Sequence, residues 1–231
     1  MTKDVTTQIQ QIVGQISNEI TGVYDAVTFK TFVCSTKWLR VGKTVKDQYD
    51  NVFVVTEIGP GEWIKATPVN NDPLLFLDGL FTIPEPYYLA GTKLSANREW
   101  TLPTNDVTEK TPIIWLLDAI RYRKYGREST LDFETDLRIF FLDETDIVNY
   151  YTLDHRENVV EPMTELINEF LEVINSNVQY KPVLEFDLIT FSRFGVESEN
   201  GMFQNILDAN LSGVELRFTL AKFKENCKNC N

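Results

Sequence analysis

The chain has 231 residues, of which 43% are hydrophobic and 12% aromatic, so it is too apolar to be disordered and long enough to bury a core. Its 34 acidic and 22 basic residues give a net charge of −12, which disfavours a nucleic-acid-binding surface. Apolar runs are too short to cross a bilayer, and the start shows no targeting leader. We expect a soluble protein without a membrane partner, kept in a cytoplasm or in a particle assembled there.

The N-terminal part predicts a helix followed by strands. Apolar residues recur at spacings of three and four from Val5 to Ile20, which is typical of an amphipathic helix, and Gly22 is placed to end it. The pattern then alternates in "AVTFKTFVCSTKWLRVGKTVK" and "NVFVVTEIGPGEWIKATPV", with a Gly-Pro-Gly turn at residues 59–61. We therefore expect an antiparallel β layer after the first helix.

Residues 70–110 show no sustained period. Prolines interrupt this stretch, yet large apolar residues continue through it. A segment of about 40 residues without regular structure is unusual inside a compact domain, and this one is too apolar to be a solvated linker. We therefore expect an extended arm that lies partly on a neighbouring subunit.

A second helix is predicted after the arm. Thr111 is a suitable cap, Pro112 a suitable first residue, and Gly126 a suitable end for "PIIWLLDAIRYRKYG". Its last turn holds the dense basic cluster of the chain. Two interpretations stay open: the cations complement the helix dipole, or they contact the acidic face of an identical copy. The cluster comprises Arg121, Arg123, Lys124 and Arg127.

The C-terminal half predicts a sheet flanked by helices. "TDLRIFFLDETD" is apolar on both faces, as expected of a central strand. Val159 to Ile174 carry a helical stripe, and "VLEFDLITFSRFG" and "SGVELRFTLAKF" are typical of strands. Because strands and helices do not alternate strictly, the predicted fold class is α+β with an antiparallel or mixed sheet.

Several chemistries find little support in the sequence. "RVGKT" lacks the first glycine of a phosphate loop and lies between strands, so we interpret it as a turn. There is no Gly-x-Ser-x-Gly motif, and His155, the one histidine, is interpreted as a half-exposed loop residue. The C-x-x-C at Cys227 and Cys230 lacks a second ligand pair for zinc and is interpreted as a frayed terminus, with metal or redox use the minority alternative.

The acidic stretch "DETD" remains a candidate metal site. Asp143, Glu144 and Asp146, with Asp154 and Glu157, could hold a hard cation, but their spacing is not that of a known calcium loop. In so acidic a chain, carboxylates that solvate the exit of a strand are the favoured interpretation.

The order of these elements and their residue patterns resemble those of phage tail-terminator and head–tail joining proteins, and most of all those of the neck and tail ring subunits of crAss-like phages. The resemblance rests on "TDLRIFFLDETD", the helix "NVVEPMTELINEFLEVINSN", the strand "NLSGVELRFTLAKF" and the opening helix "TQIQQIVGQISNEI". It implies one α+β domain over residues 1–231. The β layer at 26–69, which includes the hairpin, and the arm at 70–110 depart from the family pattern, and we interpret them as insertions.

The resemblance also implies a function. Members form homo-oligomeric rings, hexamers or dodecamers, around the DNA exit channel of the virion, beside portal, neck or tail proteins. They are not enzymes and use no cofactor. Assembly in the bacterial host cytoplasm and an acidic lumen that DNA passes without specific binding are the corresponding expectations.

A ring repeats one contact between two unlike surfaces, and we assign these surfaces to the arm, the hairpin and the basic cluster. The candidate interface residues are Gly59, Trp63, Phe76, Phe81, Tyr87, Tyr88, Trp100, Arg121, Arg123 and Arg127. Two alternatives stay open: a metal-dependent hydrolase using Asp143, Glu144 and Asp146, and a monomeric adaptor or binding module.

Overall fold

The computed structural model describes residues 4–70, 72–100, 110–118, 120–125, 132–146, 148–197, 203–207 and 209–222. The helices are α1 (Val5–Val13), α2 (Lys93–Trp100), α3 (Thr152–His155) and α4 (Glu161–Ser176), with a π-helical segment (Arg156–Val160) joining α3 to α4. The strands are β1 (Glu19–Asp25), β2 (Lys30–Val33), β3 (Thr44–Asp47), β4 (Val52–Gly59), β5 (Trp63–Pro68), β6 (Gly79–Thr82), β7 (Tyr87–Gly91), β8 (Ile113–Leu117), β9 (Arg121–Tyr125), β10 (Asp132–Glu144), β11 (Phe186–Phe191), β12 (Gly195–Glu197), β13 (Phe203–Asn205) and β14 (Leu211–Lys222).

Strands β1 to β6 form a closed barrel. Their order is β1, β2, β5, β4, β3, β6, and every neighbouring pair is antiparallel. Phe53, Ile64 and Phe81 are among the fully buried side chains of this region. Closure satisfies the backbone groups that an open sheet would leave at its edges.

The antiparallel order gives the barrel two chemically different ends. The inner end holds the β2–β3 connection, whose Arg40 and Lys43 contact Asp143 at the C-terminal end of β10. The outer end holds the opposite set of connections, residues 26–29, 48–51 and 69–78. The barrel therefore meets the rest of the protein at one end and presents the other away from that contact.

The second sheet has the order β11, β14, β10, β8, β7, with β9 also paired to β10. Strands β10 and β14 keep one register from Phe133 opposite Lys222 to Glu144 opposite Leu211. On its other side β10 pairs first with β9 and then with β8. The β7–β8 pair is parallel, so the sheet is mixed.

Helices cover this sheet on both faces. On one face α4 places Phe170 against Phe141 of β10, with ring centroids 5.6 Å apart, and Ile9 of α1 is buried in the same core. On the other face α2 and the chain around Phe194 cover Trp115. The core of the first face is continuous with the barrel interior, whereas the second face has a separate cluster.

The fold confirms the α+β prediction, including the central position of β10. The hairpin at Gly59, the helix through Ile174 and the last long strand are also confirmed. The barrel is larger than the predicted β layer at 26–69, because β1 and β6 lie outside that range and close it.

The predicted helix from Thr111 to Gly126 is wrong in the part the structure describes. Residues there form β8 and β9, two parts of one interrupted line of strand along β10. Ile113, Ile114, Trp115 and Leu116 are all buried, because β8 lies inside the sheet with both faces covered. A strand of this kind has no alternating pattern to distinguish it from a buried helix.

Two further boundaries differ from the predictions. Helix α1 ends at Val13, and Ile16 and Ile20 are buried although they lie beyond it, Ile20 within β1. The predicted irregular arm contains β6, β7 and α2, so much of its apolar surface is covered by its own protomer. Short elements broken by prolines leave no sustained period in the sequence, which is why they were not predicted.

Candidate functional site

The barrel joins the sheet through a buried ion cluster. Arg40 Nε donates to Asp143 Oδ2 at 2.9 Å, and its Nη2 donates to Glu144 Oε2 at 3.3 Å. Lys43 Nζ lies 3.6 Å from Asp143 Oδ1 and donates to the Thr111 carbonyl oxygen at 2.8 Å. The Asp143 side chain is 0% exposed. Two cations from the β2–β3 connection therefore hold two carboxylates at the end of β10.

The pKa values within this cluster reflect burial opposed by charge pairing. Burial alone would lower the pKa of Arg40, but Asp143 and Glu144 outweigh it, so that pKa is raised. For Lys43 burial dominates and lowers the pKa despite Asp143. The positive and negative charges of the cluster balance each other, and the cluster fixes the inner end of the barrel on the sheet.

The predicted interpretation of "DETD" as a solvated strand end is wrong for Asp143 and holds for Asp146. Asp146 is exposed and accepts bonds from the Val148 and Asn149 amides and the Asn149 side chain, the last at 2.6 Å. The Asn149 side chain is the main reason that the pKa of Asp146 is lowered. Since Asp143 is engaged by two cations, the three carboxylates do not form one metal-binding set. No group of three or more metal-ligating side chains occurs among the described residues.

A cavity of about 620 Å³ lies beside the ion cluster. Arg40, Lys43 and Lys46 line it together with Glu85 and Glu144, so its charges are mixed. Lys43 is tied to Thr111 and Asp143, which leaves its amine poorly placed to act as a nucleophile.

His155 lies in α3 rather than in a loop, beside a second cavity of about 390 Å³ that Tyr150, Ser192 and Arg193 also line. Burial lowers the pKa of the imidazole, and its Nε2 has no hydrogen-bond partner among the described residues. A catalytic base needs an orienting group and a nucleophile within hydrogen-bond reach, and the described geometry supplies neither to this nitrogen.

Several of the predicted interface residues are covered within the protomer. Phe81 is 1% exposed in the barrel and Trp100 is 3% exposed against the sheet, so neither is available to a neighbouring subunit. Tyr88 is half-buried and donates its hydroxyl to the Thr6 carbonyl at 2.9 Å. Tyr87 is also half-buried. For Phe81 and Trp100 the expected cover from a sister copy is therefore wrong, because their own chain supplies it.

The remaining predicted interface residues lie at three separate places. Gly59 and Trp63 meet in the β4–β5 hairpin, where any Cβ at Gly59 would collide with the indole. Phe76 is exposed at the outer end of the barrel. Arg123 pairs with Asp136 at 2.5 Å, and Arg121 lies in the same strand, β9. Arg127 lies outside the described residues, as does the C-terminal C-x-x-C.

The outer end of the barrel is an exposed apolar surface, which we call the outer-end patch. Asp25 organises its first turn by accepting bonds from the Val27 and Thr28 amides, and Phe76 stacks on Tyr24 with centroids 4.5 Å apart. Val27 is 85% exposed, Leu74 81% and Phe29 66%. The large apolar side chains of the patch are Val27, Phe29, Tyr49, Val69, Leu74 and Phe76.

Two strands of the mixed sheet lie at open edges of unlike chemistry. Strand β11 ends the sheet and exposes Phe186, Leu188 and Ile189. Strand β9 pairs only with β10 among the described strands, and its Arg123 forms an ion pair with Asp136 of β10. Exposed apolar edge strands readily accept another chain.

Sequence reasoning missed Arg40 and Lys43 as members of a site. Their sequence signal is weak: two cations three residues apart in a turn, where Gly42 takes a positive φ of 87°. The partner Asp143 lies 103 residues from Arg40, and no local pattern indicates which carboxylate such a pair will meet.

No protein-family model matches the chain, and no curated protein matches it significantly. No helix in the described part of the chain is long and apolar enough to cross a membrane.

Proposed function

We propose that this chain is a non-enzymatic structural protein of a phage virion, a ring-forming subunit of the head–tail connector or tail. The observation that carries self-association is the outer-end patch, with its large apolar side chains on three connections at one end of a closed barrel. Exposed apolar clusters of this kind mark interaction surfaces. The virion assignment rests on the sequence resemblance to tail-terminator and head–tail joining proteins.

A second surface of different character supports a ring over a symmetric dimer. A closed ring repeats a contact between two unlike patches, whereas a twofold dimer uses one patch twice. The outer-end patch lies on the barrel, and the open edges β9 and β11 belong to the other sheet. One protomer thus offers the two unlike surfaces that a ring needs.

The acidic composition fits the proposed position around DNA. With 34 acidic against 22 basic residues, the protein offers phosphates little attraction. DNA would pass the lumen without specific binding, and neighbouring portal, neck or tail proteins would supply the axial contacts. The proposed ring is a hexamer or a dodecamer.

Light scattering and negative-stain imaging of the purified chain test this function. The expected result is a particle with the mass of a hexamer or dodecamer that appears as a closed ring. A chain that remains monomeric at every attainable concentration, without closed particles on the grid, contradicts the proposal. Mass and image together distinguish a ring from open filaments or amorphous aggregates.

A further inference from the structure

We propose that protonation of His155 opens residues 152–160, which we call the α3 segment, and makes this segment an acid-sensitive conformational switch. The α3 segment comprises α3 and the π-helical residues that join it to α4. Such a switch lies within one protomer and needs no association, so it goes beyond the proposed ring. Three features carry it: one enclosed imidazole nitrogen, charged neighbours that are bonded elsewhere, and the weak attachment of the segment.

The imidazole of His155 has one enclosed nitrogen. Its Nε2 is buried and has no hydrogen-bond partner among the described residues. A neutral imidazole carries one proton, which Nδ1 can hold, whereas the charged ring also has an N–H at Nε2. In the closed segment that N–H would be a buried donor without an acceptor, which costs free energy. Burial accordingly lowers the pKa of His155.

The ionisable groups that share the cavity with His155 are bonded to other partners or exposed. They are Asp146, Tyr150, Tyr151 and Arg193. Asp146 accepts a bond from the Asn149 side chain at 2.6 Å, and Arg193 donates to the Asn205 side chain at 3.5 Å. Within the described part of the chain, no hydrogen bond or ion pair ends on the imidazole. The cavity therefore offers the charged ring no partner while the segment is closed.

The charged groups of the segment, the ion cluster and the start of α4 do not pair with His155 either. These groups are Arg40, Asp143, Glu144, Asp154, Arg156, Glu157 and Glu161. Asp154 accepts a bond from the Tyr151 amide at 3.0 Å, and Arg156 lies 3.3 Å from Glu161. None of these acidic residues belongs to a metal-ligating group among the described residues.

The α3 segment is more weakly attached than the elements around it. Helix α3 is a single turn without a buried residue, and the π-helical segment buries Val159 alone, against β10 and β14. The charged Glu215 and Arg217 of β14 lie on the opposite face of the sheet from α4. Leu153 is 63% exposed, whereas α4 buries a continuous apolar stripe. Segments with few buried apolar contacts open at a lower free-energy cost than a whole domain.

Acid should favour the open segment. In the open segment the imidazole reaches water and titrates near the ordinary histidine pKa of about 6.5, whereas the pKa in the closed segment is lower. The open form therefore binds the proton more readily, and the closed form loses stability as the pH falls below 6.5. Proton uptake by a solvated histidine limits the effect, so the open population rises by at most about tenfold between pH 7.5 and pH 5.5.

NMR titration of the full chain tests the enclosure of the imidazole. The chain has one histidine, so its ring protons give one set of signals that follow His155 directly. We expect a titration midpoint below pH 6.5. A midpoint at 6.5 or above overturns the inference, because the closed segment then does not disfavour the charged ring. This measurement uses the wild type and does not depend on any variant folding.

Hydrogen exchange at pH 7.5 and pH 5.5 tests the opening. After correction for the intrinsic exchange rates, the amides of residues 152–160 should exchange faster at pH 5.5, by up to about tenfold, while α4 and β10 keep their protection. Carboxyl groups ordinarily titrate near pH 4, below this range. No acceleration in the wild type, or an equal acceleration in α4 and β10, overturns the inference.

Two variants assign the response to the imidazole. His155→Gln takes up no proton and should remove the difference between the two pH values in residues 152–160. Glu157→Gln, at an exposed position of the same segment, is the matched control and should keep the wild-type response. An acceleration in His155→Gln equal to that of the wild type, or its loss in Glu157→Gln, would show that His155 is not the group that opens the segment.

Discussion

At the scale of single residues, Asp143 shows how a buried charge can fasten two substructures. Its carboxylate is fully buried and faces Arg40 and Lys43, which come from a connection more than a hundred residues earlier. Removing one member of such a cluster leaves the others buried with uncompensated charge, which costs more than the intact cluster contributes. The residue is therefore structural, although its sequence context resembles a metal site.

Asp143→Asn is expected to lower the free energy of unfolding by about 3–5 kcal/mol, because it leaves two buried cations opposite a neutral amide. Urea denaturation followed by tryptophan fluorescence measures this loss. Glu144→Gln is the matched control: its side chain is 42% exposed, and the expected loss is about 1 kcal/mol or less. Equal losses in the two variants would contradict the role assigned to Asp143.

At the scale of elements, β10 and β14 place like charges opposite each other and compensate them. Arg138 lies directly across from Arg217, an arrangement that is destabilising unless a carboxylate intervenes. Glu215 accepts bonds from Arg138 at 2.6 Å and from Arg217 at 2.7 Å. Burial would raise the pKa of Glu215, but the hydrogen bonds from the two arginines outweigh it and hold that pKa below its usual 4.5.

This arrangement predicts a pH-dependent contribution to stability. A carboxylate whose pKa is lowered in the folded state stabilises fully above pH 4.5 and loses its contribution as pH falls through the lowered value. Glu215→Gln should therefore destabilise by about 1 kcal/mol at pH 7, and the gap to wild type should close as the pH falls below 4.5. Urea unfolding at pH 7 and below pH 4.5 measures this difference in unfolding free energy, with Glu172→Gln, at an exposed position, as control. A gap that stays constant across this range would contradict the assignment.

The elements also show what sequence patterns can and cannot predict. Helix α4 could be predicted because it buries one face and so shows a helical period, and strand β14 because its apolar and polar residues alternate from Leu216 to Leu220. Strand β8 is buried on both faces, so its run of apolar residues fits a helix equally well. The ion cluster could not be predicted from the sequence for another reason, because Arg40 and Asp143 meet only through the tertiary fold. The exposed patch at Val27 and Phe29 could not be found by hydrophobicity, since buried and exposed apolar residues look alike in a sequence.

At the scale of the whole molecule, the barrel and the mixed sheet are joined at one place and carry their open surfaces elsewhere. The inner barrel end is occupied by the ion cluster, while the outer end and the edge strand β11 expose apolar side chains that no described residue covers. In the proposed ring, folding and assembly would therefore use separate surfaces. Substitutions at the outer end are expected to change assembly while leaving the protomer folded.

The apparent melting temperature of the wild type should rise with protein concentration, because a native state that associates is stabilised by mass action. Differential scanning fluorimetry over a hundredfold dilution series measures this. The Val27→Asn, Phe29→Asn variant should melt at the same temperature across the series. A wild-type melting temperature that does not change with protein concentration would contradict self-association. An equal rise in the variant would show that the outer-end patch is not part of the contact.

The uninterrupted pairing of β10 with β14 has a mechanical consequence. Strand β10 is 13 residues long, about 40 Å, and its bonds to β14 lie perpendicular to it in one constant register. A pull along the strand from the barrel toward β9 loads these bonds in shear, all together, instead of peeling them apart one by one. The protomer should accordingly resist stretching along this axis far better than force applied across the sheet.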